Sequence, residues 1–352
     1  VHSSSLDVVY TQPGGRGWAP IEVLAELAAR SFGGELHRYT DTGYSRTFRA
    51  RTLLPRVRAS RGDCCLVIAP TPVHLNAILE APELRRRYAG IAGWTIDSFW
   101  TDKIPRAAKT ARHYDHLYVI DHEDQEQWQS ETGRPVSCLP WGTDVLGTPD
   151  PDKKVVDLQR VGRQPPQWED DGAAATAAAA HGLRYAGRPE FGSTDAESQA
   201  NVSRAYRQAK YVLAFSNGAS PASYTHPTRE YLTGRWLDAI GSGAVVAGIV
   251  PKTRVARELL WPDATLELPT IERDAGLEAV TEAVRNWTPA IAQNNRRLAA
   301  RLLDWRHRLK VVADDFGANA PTLHSELAAL APSTRDVLTK PADAFLRTDR
   351  RA

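Results

Sequence analysis

The chain has 352 residues, longer than one hydrophobic core ordinarily organises, so two domains are expected. With 42% hydrophobic residues and no apolar run near the ~20 residues that cross a bilayer, a soluble globular protein is expected and a membrane-spanning one excluded. Lys and Arg number 44 against 42 Asp and Glu, a near balance without the basic field of a nucleic-acid binder. Arg outnumbers Lys 36 to 8 and Ala is abundant, the bias of a GC-rich bacterial genome. Cys64, Cys65 and Cys138 form an odd set without C-x-x-C, which points to reduced cytoplasmic thiols and to no disulfide framework or metal site. The opening VHSSSLDVVYTQPGG lacks the basic flank and apolar core of a signal peptide, and the absence of Met predicts that Val1 is not the initiator.

In chain order, residues 6–10 read as a short apolar strand running into Thr11-Gln12-Pro13-Gly14-Gly15-Arg16-Gly17 and an amphipathic helix over 18–30. Strand, glycine loop and helix open a doubly wound domain. Gly33-Gly34 closes the helix, a strand follows at 35–39, and an Arg-rich helix or loop occupies 45–60. Further strands are expected at 64–69, 91–96, 116–120 and 136–139, with helices after Pro72 and over 122–132. The Pro-, Gly- and Asp-rich 147–154 reads as a linker. A second α/β series then has strands at 155–161, 183–186, 211–215 and 265–268. Helices are expected at the alanine tract 173–180, at 201–208 and 274–286, and as one long helix over 290–314. A helical, Arg-rich tail follows Pro321. The pattern predicts 1–146 and 155–315 as two facing Rossmann-like domains, with 316–352 returning to the first.

The stretch 225–251, THPTREYLTGRWLDAIGSGAVVAGIVP, organises the second domain. Leu232, Trp236, Leu237 and Ile240 recur at helical spacing, Gly241 and Gly243 stop the helix, and Ala244-Val245-Val246-Ala247 suits a buried strand. On a helix spanning it, Glu230 and Asp238 would lie about two turns apart on one face. The amides of Thr233 and Gly234 at the helix start suit a phosphate, and nearby carboxylates suit sugar hydroxyls. Elsewhere, Gly14 and Gly15 would let backbone amides approach a diphosphate. Asp97, in Gly93-Trp94-Thr95-Ile96-Asp97-Ser98-Phe99-Trp100, falls just past a strand end where open sheets bind ligands, though a helix cap is as good a reading. Trp94, Phe99 and Trp100 are either sugar-stacking or core aromatics. Arg163, in Val161-Gly162-Arg163, suits a charge-assisted clamp on phosphate.

Segments 139–144 (Leu-Pro-Trp-Gly-Thr-Asp), 161–163 and 225–251 together resemble the retaining GT-B glycosyltransferases, of the family 4 and CgeB-like kind. The sharp motifs are the P-x-G-x-D turn, the Gly162-Arg163 pair, and an E-x7-E element whose second acid is Asp238 here. The resemblance implies a metal-independent hexosyltransferase, without cofactor, that uses a UDP- or GDP-sugar donor. It implies Glu230, Arg163 and Asp97 as catalytic residues. Gly14, Gly15, Arg163, His226, Thr233, Gly234, Arg235 and Asp238 would bind donor, with Asp238 on the ribose and Glu230 on the hexose. The chain departs from the family by lacking a His in 94–100 and a Lys after Arg163, for which Arg229, Arg235 or Lys252 are the substitutes at hand. The basic stretch 46–61 would face an anionic acceptor or a peripheral membrane contact. A nucleotide-sugar 2-epimerase of the same fold and a non-catalytic binding module are the alternatives.

Overall fold

The computed structural model describes residues 6–13, 17–40, 63–79, 88–110, 113–223 and 225–331. Gly14, Gly15 and the basic stretch 46–61 therefore lie outside the described residues.

The first sheet is six-stranded and parallel: β1 (Leu6–Gln12), β2 (Leu36–Thr40), β3 (Cys64–Ala69), β4 (Gly90–Thr95), β5 (His116–Val119) and β6 (Val136–Cys138), in the order β2-β1-β3-β4-β5-β6. Every residue of β3, Cys-Cys-Leu-Val-Ile-Ala, is buried, as expected of a parallel strand covered on both faces. Helix α1 (Ala19–Phe32) crosses one face and stops at Gly33, which takes a left-handed φ of 68°. Helix α2 (His122–Thr132) is capped by the Asp121 carboxylate, which accepts the Glu123 amide.

The second sheet repeats the plan with β7 (Val156–Arg160), β8 (Tyr185–Ala186), β9 (Ala209–Leu213), β10 (Val245–Gly248) and β11 (Thr265–Glu267), in the order β11-β10-β9-β7-β8. Its longer helices are α3 (Asp171–Ala180), α4 (Asp195–Gln208), α5 (Gly234–Gly241), α6 (Arg273–Arg285) and α7 (Pro289–Leu302). In each sheet the winding direction reverses beside the first strand, between β1 and β3 and between β7 and β9. Open α/β sheets bind ligands at the carboxyl ends of the strands at such a reversal.

The chain crosses between the sheets twice, at one place. Thr143 donates its amide to the Leu303 carbonyl at 2.9 Å and accepts from the Trp305 amide at 3.0 Å. The buried Asp304 carboxylate takes the amides of Val145 and Leu146 at 2.9 and 3.1 Å, and also caps α8 (Trp305–Phe316) through the Arg306 amide. Arg306, itself buried, bonds Asp144 at 2.7 Å and Asp304 at 3.1 Å. This junction corrects the expectation of one long helix over 290–314: Asp304 serves the other crossing strand instead of continuing α7, and the helix divides into α7 and α8. Helices α8 and α9 (Pro321–Leu330) then pack on the first sheet's layer, with Tyr118 donating to Asp315 and Ser31 to Glu326, both at 2.6 Å.

Candidate active site

Between the two sheets lies a cleft of about 650 Å³. The first domain supplies the start of α1 (Gly17, Trp18, Pro20, Ile21), the ends of β4 and β5 (Ile96, Asp97, Ile120) and Trp141 from the crossing. The second supplies Val161, Gly162 and Arg163 after β7, the 188–191 loop after β8, and residues of α4. Tyr231, Leu232, Thr233, Gly234, Arg235 and Asp238, at the entry to and in α5, complete it. Both strand-order reversals thus open onto the same space.

Helix α5 begins at Gly234 because Thr233, at its N-cap, is extended (φ −91°, ψ 160°). That start corrects the placing of Glu230 and Asp238 on one helical face, since Glu230 lies in the loop ahead of it. The physical reason is a set of long-range bonds. The Glu230 carboxylate accepts the Ser216 hydroxyl beyond β9 and the Lys252 amide beyond β10 at 2.9 Å, which holds 230 in the loop that crosses both strand ends. Asn217 reinforces that loop by donating to the Arg229 carbonyl and accepting the Tyr231 amide at 3.2 Å. Glu230 is not among the residues lining the cleft.

Asp238 does line it, from the middle of α5. Burial raises its carboxyl to about 7; the Thr143 hydroxyl's hydrogen bond opposes this, and the Asp144 charge adds to it. Asp97 faces the same space from the end of β4 and is also raised to about 7, by burial, with Lys103 opposing. Two carboxyls at the cleft wall therefore exchange protons near neutrality, which is where acid–base groups are useful.

Arg163 lines the cleft beside Gly162, whose φ of 69° suits glycine and whose side-chain space is taken by the Arg235 guanidinium 2.9 Å away. Arg235 donates to the Arg163 carbonyl at 2.9 Å, so the turn after β7 and the first turn of α5 are tied together. Thr233 and Gly234 sit at the α5 start, as the sequence leads one to expect. His226 is elsewhere: its Nδ1 accepts the Thr228 and Arg229 amides at 3.2 and 3.1 Å, which makes it a loop former outside the lining. Burial, then the Arg229 cation, lowers its pKa, consistent with a neutral accepting ring.

Of the aromatic candidates, Trp94 is fully buried and donates to the Leu139 carbonyl at 3.1 Å, so it belongs to the core. Phe99 stacks on Tyr231 across the domain boundary (centroids 4.2 Å apart, planes at 13°), and Trp100 lies 5.6 Å from the His226 ring. Alongside, Arg229 pairs with the buried Asp124 and donates to Gln127 at 2.9 Å, and His122 meets Glu258 at 3.1 Å. These contacts clasp one side of the cleft shut. Burial raises the Asp124 carboxyl, while the Ser98 hydroxyl and Arg229 pull it down.

Sequence reasoning missed Trp141, Arg188, Phe191 and Tyr206 as lining residues. Trp141 stood inside a quoted turn motif, and Phe191 in a loop bounded by Pro189 and Gly192 is a large apolar residue left exposed, the one local signal available. Among the described residues, the carboxylates and imidazole close enough to share a metal ion are Asp7, Glu35 and His37, at the opposite ends of β1 and β2 from the cleft. No helix among the described residues is long and apolar enough to cross a membrane.

This architecture, two parallel sheets each flanked by helices and facing one another across a cleft, is GT-B. No family model matches the chain, and no curated protein does. Among solved structures it is similar to Anabaena Alr3699/HepE in complex with UDP and glucose, at 12% identity and TM-score 0.51 over 88% of this chain and 99% of that one. It is also similar to a glycosyltransferase from Rickettsia africae, at 7% identity and TM-score 0.51 over 90% of this chain and 98% of that one. At these identities the likeness establishes the fold.

Proposed function

We propose that the chain is a glycosyltransferase that moves a hexose from a UDP- or GDP-sugar to an acceptor, by the retaining, metal-independent route of family 4 and CgeB-like enzymes. The observation that carries this reading is the cleft itself, where Arg163, the start of α5, Asp97 and Asp238 converge from both domains. The HepE structure, similar in fold, holds UDP and glucose, the two halves of such a donor. In this chain Arg163 and the α5 amides take the diphosphate and stabilise its charge as the glycosidic bond breaks. Asp238 accepts ribose hydroxyls. Glu230, outside the lining, acts through the loop ahead of α5, which its bonds to Ser216 and the Lys252 amide hold in place. The clasp of Arg229 on Asp124 keeps the domains closed over the donor. The protein acts in the cytoplasm, where nucleotide sugars are made.

A second reading, a nucleotide-sugar 2-epimerase, is favoured by one observation: Asp97 and Asp238 both titrate near neutrality in the same cleft. Incubation with a panel of UDP- and GDP-sugars, with and without glycan, lipid and small-molecule acceptors, separates the two. A transferase releases UDP or GDP faster with acceptor and forms a new glycoside. An epimerase changes the free nucleotide sugar with no acceptor present, and the absence of either product rejects both.

A further inference from the structure

Trp141 follows Pro140 on the strand that crosses between the domains, and its side chain is 7% exposed. The ring is fixed from behind by Trp305, edge to face with centroids 4.6 Å apart, while the buried Arg308 donates to the Trp141 carbonyl at 3.3 Å. Its front lines the cleft. The indole Nε1–H nonetheless has no hydrogen-bond partner among the described residues. A donor buried without an acceptor is costly and uncommon in native proteins, so each such case asks what its acceptor is.

The indole nitrogen is located by its neighbour. A methyl placed on Gly234 would lie 2.4 Å from Trp141 Nε1, so the indole nitrogen rests against the first residue of α5. Thr233, the N-cap, makes no side-chain cap bond; the Trp236 amide bonds the Thr233 carbonyl at 3.1 Å, and Gly234, the first residue of the helix, stands at its positive end. The indole N–H and the Gly234 amide, both donors, are therefore neighbours, and neither can satisfy the other. What satisfies both is an oxyanion, which the positive end of α5 also attracts.

We propose that Trp141 is a binding residue for the donor diphosphate, its Nε1–H donating to a phosphoryl oxygen held at the start of α5. The proposal rests on reading the cleft as a nucleoside-diphosphate site, and it adds a ligand from the opposite domain. Because Trp141 is carried by the inter-domain crossing and α5 by the second sheet, one phosphoryl group bridges the two. Gly234 is required for the same reason, since any side chain there displaces the indole.

The test is calorimetric titration of UDP, GDP and inorganic pyrophosphate into wild type, Trp141→Phe and Gly234→Ala. Phe keeps an aromatic ring near Trp305 and removes the N–H. Trp141→Phe is expected to weaken the nucleotide that binds, and pyrophosphate with it, about ten- to a hundred-fold, the loss of a hydrogen bond to a charged acceptor. Because the smaller ring leaves a cavity, the ligand-free midpoint falls whichever role holds, and the discriminating readout is pyrophosphate affinity at a temperature where both proteins are folded. Gly234→Ala is expected to weaken the same ligands and decides the matter should Trp141→Phe fail to fold. Equal affinities in variant and wild type overturn the role of Trp141 and leave the nucleotide-sugar reading standing. Pyrophosphate binding that depends on Trp141, with neither nucleotide bound, supports the phosphate site and overturns that reading. No binding of any probe to wild type overturns both.

Discussion

Asp238→Asn isolates the electrostatics of the cleft. In the folded chain burial lifts this carboxyl to about 7, whereas in the unfolded chain it titrates at its ordinary value of about 4. Between those values the folded state holds the extra proton. The stability this group contributes is therefore complete below the unfolded value and is lost as pH rises through about 7. A gap of about three pH units at about 1.4 kcal/mol per unit puts the loss at up to about 4 kcal/mol. Asn has the same shape and stays neutral throughout, so it escapes that loss. Urea unfolding at about pH 5 and about pH 8 reads it out directly. The variant is expected to exceed wild type by about 1–2 kcal/mol at the lower pH, one unit above the unfolded value, and by about 4 kcal/mol at the higher. An equal offset at both values would mean an ionised, well-partnered Asp238 and refute the reasoning. Asp97 titrates in the same window for the same cause, so Asp97→Asn combined with Asp238→Asn is expected to flatten the profile further.

Arg163→Ala is expected to raise the donor KM and lower kcat, together about a hundred-fold or more in kcat/KM, as steady-state kinetics on the active donor would register. Glu230→Ala is expected to lower transfer by loosening the loop ahead of α5 while the overall fold persists by circular dichroism; unchanged turnover would show that this loop does not position the site. Arg229→Ala leaves the buried Asp124 without its cation and is expected to cost about 1–3 kcal/mol in urea unfolding. Asp124→Asn in that background is expected to recover part of the loss, which a double-mutant cycle measures.

Much of the fold is legible because local sequence and global layout agree. Runs such as 64–69 and 244–247 are apolar throughout, and parallel strands covered on both faces leave no other place for them. Gly33 and Gly133 end helices where only a left-handed residue continues the chain without strain. What escapes the sequence is what depends on distant partners. Asp304 interrupts a helical pattern because its carboxylate answers amides at 145 and 146. Glu230 leaves the helix because Ser216 and Lys252, fourteen and twenty-two residues away, bind it. The candidate site divides in the same way. Arg163, Thr233, Gly234, Arg235, Asp238 and Asp97 follow from strand ends and a helix start, and all line the cleft. Trp141 belongs to a turn whose chemistry emerges only when Gly234 is brought against its indole.

A crystal of the protein grown with UDP or GDP tests most directly whether the cleft is a donor site. The diphosphate is expected within hydrogen-bond distance of the Gly234 amide and the Arg163 guanidinium, with the ribose toward Asp238. Density for the nucleotide elsewhere on the molecule, with that corner of the cleft unchanged at saturating concentration, would contradict the proposed function.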